Sequence, residues 1–128
     1  MTQITVNADC SNSSKNEFLR DFNLLIVNQE IEKALDYVTD DIKWNMIGNF
    51  DITGKDAFRK ECEQGLNDEM QEFVIENILT HGKLGAGNGY MIMSDGTKYE
   101  YCDIYEFESI GENKKIRSMK SYVIKVEE

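Results

Sequence analysis

Between positions 99 and 107 the sequence runs Tyr-Glu-Tyr-Cys-Asp-Ile-Tyr-Glu-Phe. In a strand, successive side chains point to opposite faces, so Tyr99, Tyr101, Asp103, Tyr105 and Phe107 would share one face, a carboxyl flanked by four aromatic rings. Should that face turn toward a helical layer, burial would disfavour the ionised form and raise the pKa of Asp103, by as much as ~3–5 units at complete desolvation. A carboxyl kept neutral in this way donates a hydrogen bond, which suits it to grip or polarise a carbonyl. Asn45, Tyr122 and Tyr37 are the further polar groups expected around it, in a pocket walled by Phe, Tyr and Trp rings. The competing structural reading is an Asp at a wet sheet edge, or one that merely bonds a tyrosine hydroxyl.

Other chemistry finds little support. His81, the one histidine, sits beside Gly82-Lys83 at a turn and reads as an exposed residue. A metal needs three or four converging ligands, and no carboxylates cluster at ligand spacing, so no metal site and no cofactor is expected. Gly85-Ala86-Gly87-Asn88-Gly89 superficially resembles a phosphate loop, but it lies among strands and opens no helix. It reads instead as a bulge or bend that helps a sheet curl. Neither a nucleophile elbow nor a P-loop is present.

The elements that must position Asp103 follow from periodicity. Residues 1–13 are polar and aperiodic and read as a flexible leader, with a short extended piece at Ile4-Val6. A single domain is expected over 14–128. Ser14 and Glu17 form a capping box, and Phe18, Phe22, Leu25 and Ile26 recur at helical spacing after it. Ile31, Ala34, Leu35 and Val38 mark a second, shorter helix, closed by a turn at Thr39-Asp40-Asp41. Ile42 to Ile47 alternates as a first strand, Gly48-Asn49 turns into Phe50-Ile52, and Thr53-Gly54 opens a third helix whose face is Phe58, Cys62 and Leu66, ending at Gly65 and Asn67. Four strands follow, Phe73 to Thr80, Leu84 to Met93, Tyr99 to Phe107 and Ile116 to Val126, divided by His81-Gly82-Lys83, Asp95-Gly96 and Gly111-Glu112-Asn113. Helices gathered before hairpin-linked strands predict an α+β fold, with N-terminal helices packed in a strongly curved antiparallel sheet.

With 128 residues, 41% of them hydrophobic, the chain can build one core without metal or disulfide staples. Its 24 acidic residues outnumber 14 basic ones, and a net charge of -10 repels phosphate backbones and anionic lipid, so nucleic acid is not an expected partner. No apolar run approaches the ~20 residues of a membrane span, and no basic-then-apolar signal segment is seen. Cys10, Cys62 and Cys102, odd in number and without C-x-x-C spacing, suit reduced thiols in a cytoplasmic protein.

The step Tyr37-Val38-Thr39-Asp40-Asp41, the Ile52-Thr53-Gly54 entry to a helix, the strand Tyr101-Cys102-Asp103-Ile104-Tyr105-Glu106-Phe107 and the closing Ser121-Tyr122-Val123-Ile124 together resemble the SnoaL-like branch of the nuclear transport factor 2-like superfamily. The likeness runs from Ser14 to Val126. It implies a cone-shaped α+β barrel in which the sheet wraps the helices around an apolar pocket, often as a homodimer formed across the sheet. Relatives include ketosteroid isomerases, polyketide cyclases, dehydratases and binding modules, so residues must decide among activities. By the resemblance, Asp103 matches the isomerases' second aspartate, an oxyanion donor that its apolar surroundings keep protonated. Asn45 stands where the catalytic aspartate would be, and Phe22 or Asn23 where the partner tyrosine would be. An amide is no general base near neutral pH. The expectation is therefore a domain binding a small apolar or aromatic carbonyl or hydroxyl ligand through Asn45, Asp103, Tyr101, Tyr105, Tyr37, Phe22 and Tyr122. Its alternatives are a cofactor-free isomerase, cyclase or dehydratase using Asp103 as acid or oxyanion donor, and a dimeric protein-interaction module.

Overall fold

The computed structural model describes residues 2–10, 13–65, 69–111 and 114–126. Leu66 and Asn67 of the third helix and Glu112-Asn113 of the last turn lie outside them.

Helix α1 spans Ser14–Val27. Its cap is Ser13, one residue earlier than the capping-box pattern suggests: Ser13 is extended, and its hydroxyl accepts the Asn16 N–H at 3.1 Å, while Ser14 is already helical. Gln29, at a φ of 64°, ends the helix in the left-handed region. Helix α2 is only Ile31–Ala34 and passes through a 3₁₀ turn at Leu35–Tyr37 straight into strand β2, Val38–Met46. The expected Thr39-Asp40-Asp41 turn is thus an irregular strand entry. The register with its neighbour shifts between Val38 and Lys43, Val38 and Thr39 are buried in succession, and the Thr39 hydroxyl donates to Asp41 at 2.8 Å. Strand β3 (Phe50–Thr53), helix α3 (Lys55–Gly65) and strands β4 (Met70–His81), β5 (Leu84–Met93), β6 (Lys98–Phe107) and β7 (Ile116–Val126) complete the chain. The extended piece near Ile4 is strand β1, Gln3–Val6.

All seven strands form one curved, open sheet in the order β1-β4-β5-β6-β7-β2-β3. Four of its junctions are antiparallel, but β1 with β4 and β2 with β7 run parallel, so the sheet is mixed. Both parallel partners are joined through long connections that contain helices, as parallel pairing requires. The helices fill the concave side. Leu19 and Phe22 of α1, Phe58 and Cys62 of α3, and Ile31, Ala34 and Leu35 meet Val38 and Ile42 of β2, Tyr105 and Phe107 of β6, and Ile116 and Met119 of β7. The α+β class with helices in a curved sheet is what the periodicity leads one to expect.

Candidate functional site

The site starts from the concave face of β6. Tyr101 and Tyr105 are buried there and Asp103 between them is half-buried, whereas Glu100 and Ile104 on the other face are exposed. Cover thins along the strands toward one end. On β6, Phe107 and Tyr105 are sealed and Tyr99 is half-open; on β7, Ile116, Met119 and Ser121 are buried while Val123 is 38% exposed. Asp103 lies where the sealed core gives way to the more open end.

The adjacent strand clears space over this face. Gly85, Gly87 and Gly89 of β5 stand opposite Tyr105, Asp103 and Tyr101. Because Gly89 has no side chain, the Tyr101 ring lies across β5, stacks on Phe73 of β4 with centroids 5.4 Å apart, and donates its hydroxyl to the Val74 carbonyl at 3.2 Å. A Cβ at Gly89 would collide with that carbonyl oxygen and come within 2.8 Å of the Tyr101 hydroxyl.

Two chains of hydrogen bonds converge on the Asp103 carboxyl. The Tyr105 hydroxyl donates to Oδ2 at 3.3 Å, and the Asn23 amide of α1 donates to that hydroxyl at 3.0 Å and to the Leu19 carbonyl at 2.8 Å. From the other side Ser121, directly opposite on β7, donates to the carboxyl, while the Trp44 indole N–H donates to the Ser121 hydroxyl at 2.9 Å. Desolvation is the largest influence on Asp103 and pushes its pKa up to about 6, with the bonds from Ser121 and Tyr105 restraining the rise. Burial, then the Asp103 charge, raises the Tyr105 phenol well above its ordinary value and raises Tyr101 likewise. Both phenols are neutral donors at physiological pH.

Asp103, Tyr101 and Tyr105 are therefore gathered on one face. Phe22 is fully buried and underlies them, edge-on to Tyr105 at 6.4 Å and beside Phe58 at 6.2 Å. Asn45 is not with them. Register ties Asp103 to Ser121 and Ser121 to Met46, so Met46 and Trp44 share the concave face, while Asn45 pairs with Asp51 and the exposed Lys120 on the convex face. Tyr122 is also convex, 41% exposed and opposite Cys102. A register shift between Glu106 and Phe107 is the cause, because it sets Ile116 and Met119 on the same face and so reverses the parity of every later β7 residue. Tyr37 faces elsewhere. It packs on Phe18 at 4.5 Å and borders a separate surface concavity of about 280 Å³ with Asp21, Leu24, Leu25, Asn28 and Glu30.

Sequence reasoning missed the roles of Asn23, Trp44 and Ser121. Two signals were available: a polar residue directly after Phe22 on an amphipathic helix, and a tryptophan N–H that needs a partner when its ring is buried. Ser121 is legible only through cross-strand register. Among the described residues no group of three His, Cys, Asp or Glu side chains is placed to hold a metal, and no helix is long and apolar enough to cross a membrane. His81 is exposed at the end of β4.

No family model matches the sequence, and no curated protein sequence matches it. Solved structures do. An NTF2-like protein of unknown function from Cytophaga hutchinsonii is 22% identical, with a TM-score of 0.64 over 87% of this chain and 100% of that one. A ketosteroid isomerase-like protein from Kribbella flavida superposes with a TM-score of 0.75 at 11% identity, over 89% of this chain and 80% of that one. A SnoaL-like polyketide cyclase-type protein from Shewanella denitrificans gives 0.74 at 8% identity, over 88% and 92%. With helices held in an open, curved seven-stranded sheet and these neighbours matched over 87–89% of its length, the chain has the fold of the nuclear transport factor 2-like superfamily, SnoaL-like proteins among its structural neighbours.

Proposed function

We propose that this chain is a cytoplasmic small-molecule-binding domain that holds an apolar or aromatic ligand, bearing a carbonyl or hydroxyl, against the concave face of β6, with Asp103 at the polar end of an internal pocket. The observation that carries this reading is the half-buried Asp103 carboxyl, set among Tyr101, Tyr105 and Trp44 where the core opens and bonded by Tyr105 and Ser121. A carboxyl kept out of water at this cost to its ionisation, with no basic side chain among the groups that set its pKa, is the kind of polar group that ligand pockets place among apolar walls. Tyr101, Tyr105 and Phe22 serve as wall and support. In this reading Asn45, Tyr37 and Tyr122 are not ligand contacts.

A second reading, a cofactor-free isomerase, cyclase or dehydratase, draws on the isomerase-like and cyclase-type neighbours and on a carboxyl whose pKa near 6 suits proton transfer at neutral pH. The two readings part on one variant. Asp103→Asn should abolish turnover of a true substrate, yet leave a passively held ligand bound, weakened by no more than the loss of one hydrogen bond to a charged acceptor. Carbon-13 NMR titration of the wild-type carboxyl tests their common premise. A midpoint at an ordinary surface value would remove the support for both.

We further propose a homodimer across the convex face, where Leu79, Ile104 and Tyr122 are 71%, 39% and 41% exposed. Such residues on a curved sheet suit a second copy of the same surface.

A further inference from the structure

The hydrogen-bond chains around Asp103 have a fixed direction, and that direction selects the ligand's chemistry. At one end stands the Trp44 indole, which can only donate. Its N–H occupies the Ser121 oxygen as acceptor and leaves the Ser121 hydrogen to point at Asp103. At the other end stands the Asn23 amide. A backbone carbonyl can only accept, so the bond to Leu19 fixes which Asn23 atom is the NH2, and that same NH2 donates to the Tyr105 oxygen. The Tyr105 hydrogen is thereby sent to Asp103 Oδ2. Both arms end in obligate donors, and each arm delivers a hydrogen to the carboxyl.

A carboxylate has about four lone-pair sites. Two are taken by Tyr105 and Ser121, which leaves two on a half-buried carboxyl, and β5 sets only the bare backbone of Gly87 opposite Asp103. Neither hydroxyl can turn its hydrogen onto the indole N–H or the amide behind it without losing that bond, which leaves the Asp103 carboxyl as the acceptor at hand. Two inward-pointing donors also favour the ionised carboxyl.

We propose that Asp103 holds its ligand as a hydrogen-bond acceptor, so that the site takes alcohols and phenols, which donate an O–H, in preference to ketones and ethers, which cannot. This rests on the pocket reading above and narrows it from a carbonyl or hydroxyl to the hydroxyl. In this arrangement Trp44, Ser121, Tyr105 and Asn23 are positioning residues that set the polarity of Asp103. Above its midpoint near 6 the ionised carboxyl also cannot act as an oxyanion donor: its free positions accept a hydrogen bond rather than offer one.

Three probes of similar size separate the outcomes: phenol, anisole and acetophenone, each titrated into the full chain at about pH 8, well above the Asp103 midpoint near 6, and followed by amide NMR shifts at residues 101–105. The expected result is phenol binding about tenfold or more tighter than either other probe, the worth of a hydrogen bond to a charged acceptor. In Asp103→Asn the amide oxygen accepts from Tyr105 and Ser121 and its NH2 faces the ligand, so acetophenone should overtake phenol. Acetophenone binding as tightly as phenol to the wild type would overturn the polarity argument while leaving the pocket reading intact. If none of the three shifts residues 101–105 at millimolar concentration, the pocket reading fails and this inference with it. The wild-type comparison decides the matter even if the variant does not fold.

Discussion

At the scale of single residues, the carboxyl of Asp103 couples the site to stability through pH. Its midpoint is about 6 in the folded chain against an ordinary 3.8. Between those values the folded chain keeps a proton that the unfolded chain has released, so stability falls as pH rises through that window and stays lower above it. Asp103→Asn removes the ionisation while keeping an oxygen for Tyr105 and Ser121. It should therefore stabilise the protein by roughly 1–3 kcal/mol above pH 6 and not at all below about pH 4, read as the shift in urea midpoint at the two pH values. Equal midpoints for the variant and the wild type at neutral pH would show a carboxyl that ionises freely. Ser121→Ala should raise the Asp103 midpoint further, since one of the two donors that restrain it is gone, and carbon-13 titration reads that directly. This layer was legible on β6, where aromatic and acidic residues alternate without interruption. It was illegible for Tyr122 and Asn45, because the inward parity of β7 turns on one register shift and the inward face of β2 on its contact with α3.

At the scale of elements, β5 carries the most instructive sequence. Its glycines read as a bend, and the structure gives them a second use: they leave the concave face bare, so side chains from β6 and α1 can lie over it. The consequences differ by position. Gly89→Ala would drive a methyl into the Val74 carbonyl and the Tyr101 hydroxyl, displacing β4 or breaking the Tyr101 bond, at a cost of roughly 2 kcal/mol or more. Gly87→Ala meets only ordinary contacts, 3.6 Å from the Asn77 oxygen and 3.9 Å from Ile78, and should change stability by less than about 1 kcal/mol. Chemical denaturation of the two variants compares them, and similar losses would mean that the backbone at Gly89 does not approach β4 so closely. Helices α1 and α3 and the β4 to β7 hairpins were readable because their apolar residues keep a single period between clear turn residues. The junction from α2 to β2 was not. Thr39-Asp40-Asp41 has turn composition, and only pairing with β7 makes it strand.

At the scale of the whole molecule, topology was the least legible layer. Hairpins reveal themselves through short turns, but the parallel pairings of β1 with β4 and of β2 with β7 join residues far apart in sequence, and no local pattern encodes them. The convex face makes a prediction at this scale. Ile104→Lys together with Tyr122→Lys should convert a homodimer to monomer with little change in fold, since both side chains already meet solvent in the single chain. Sedimentation velocity would show it, and a wild-type protein that is monomeric at high concentration would end the dimer proposal. The first strand bears on handling as much as on function. Its four residues are hemmed along β4, with Asn7 adding a bond to the Ile75 carbonyl at 2.8 Å. Cutting the chain back to Ser13 would leave a raw selvedge of unpaired amides and carbonyls beside Phe73, Val74 and Ile75, an invitation to fraying and to clumping with other molecules. Tags and fusions placed at the amino end should be separated from Gln3 by a spacer, and the short strand itself left in place.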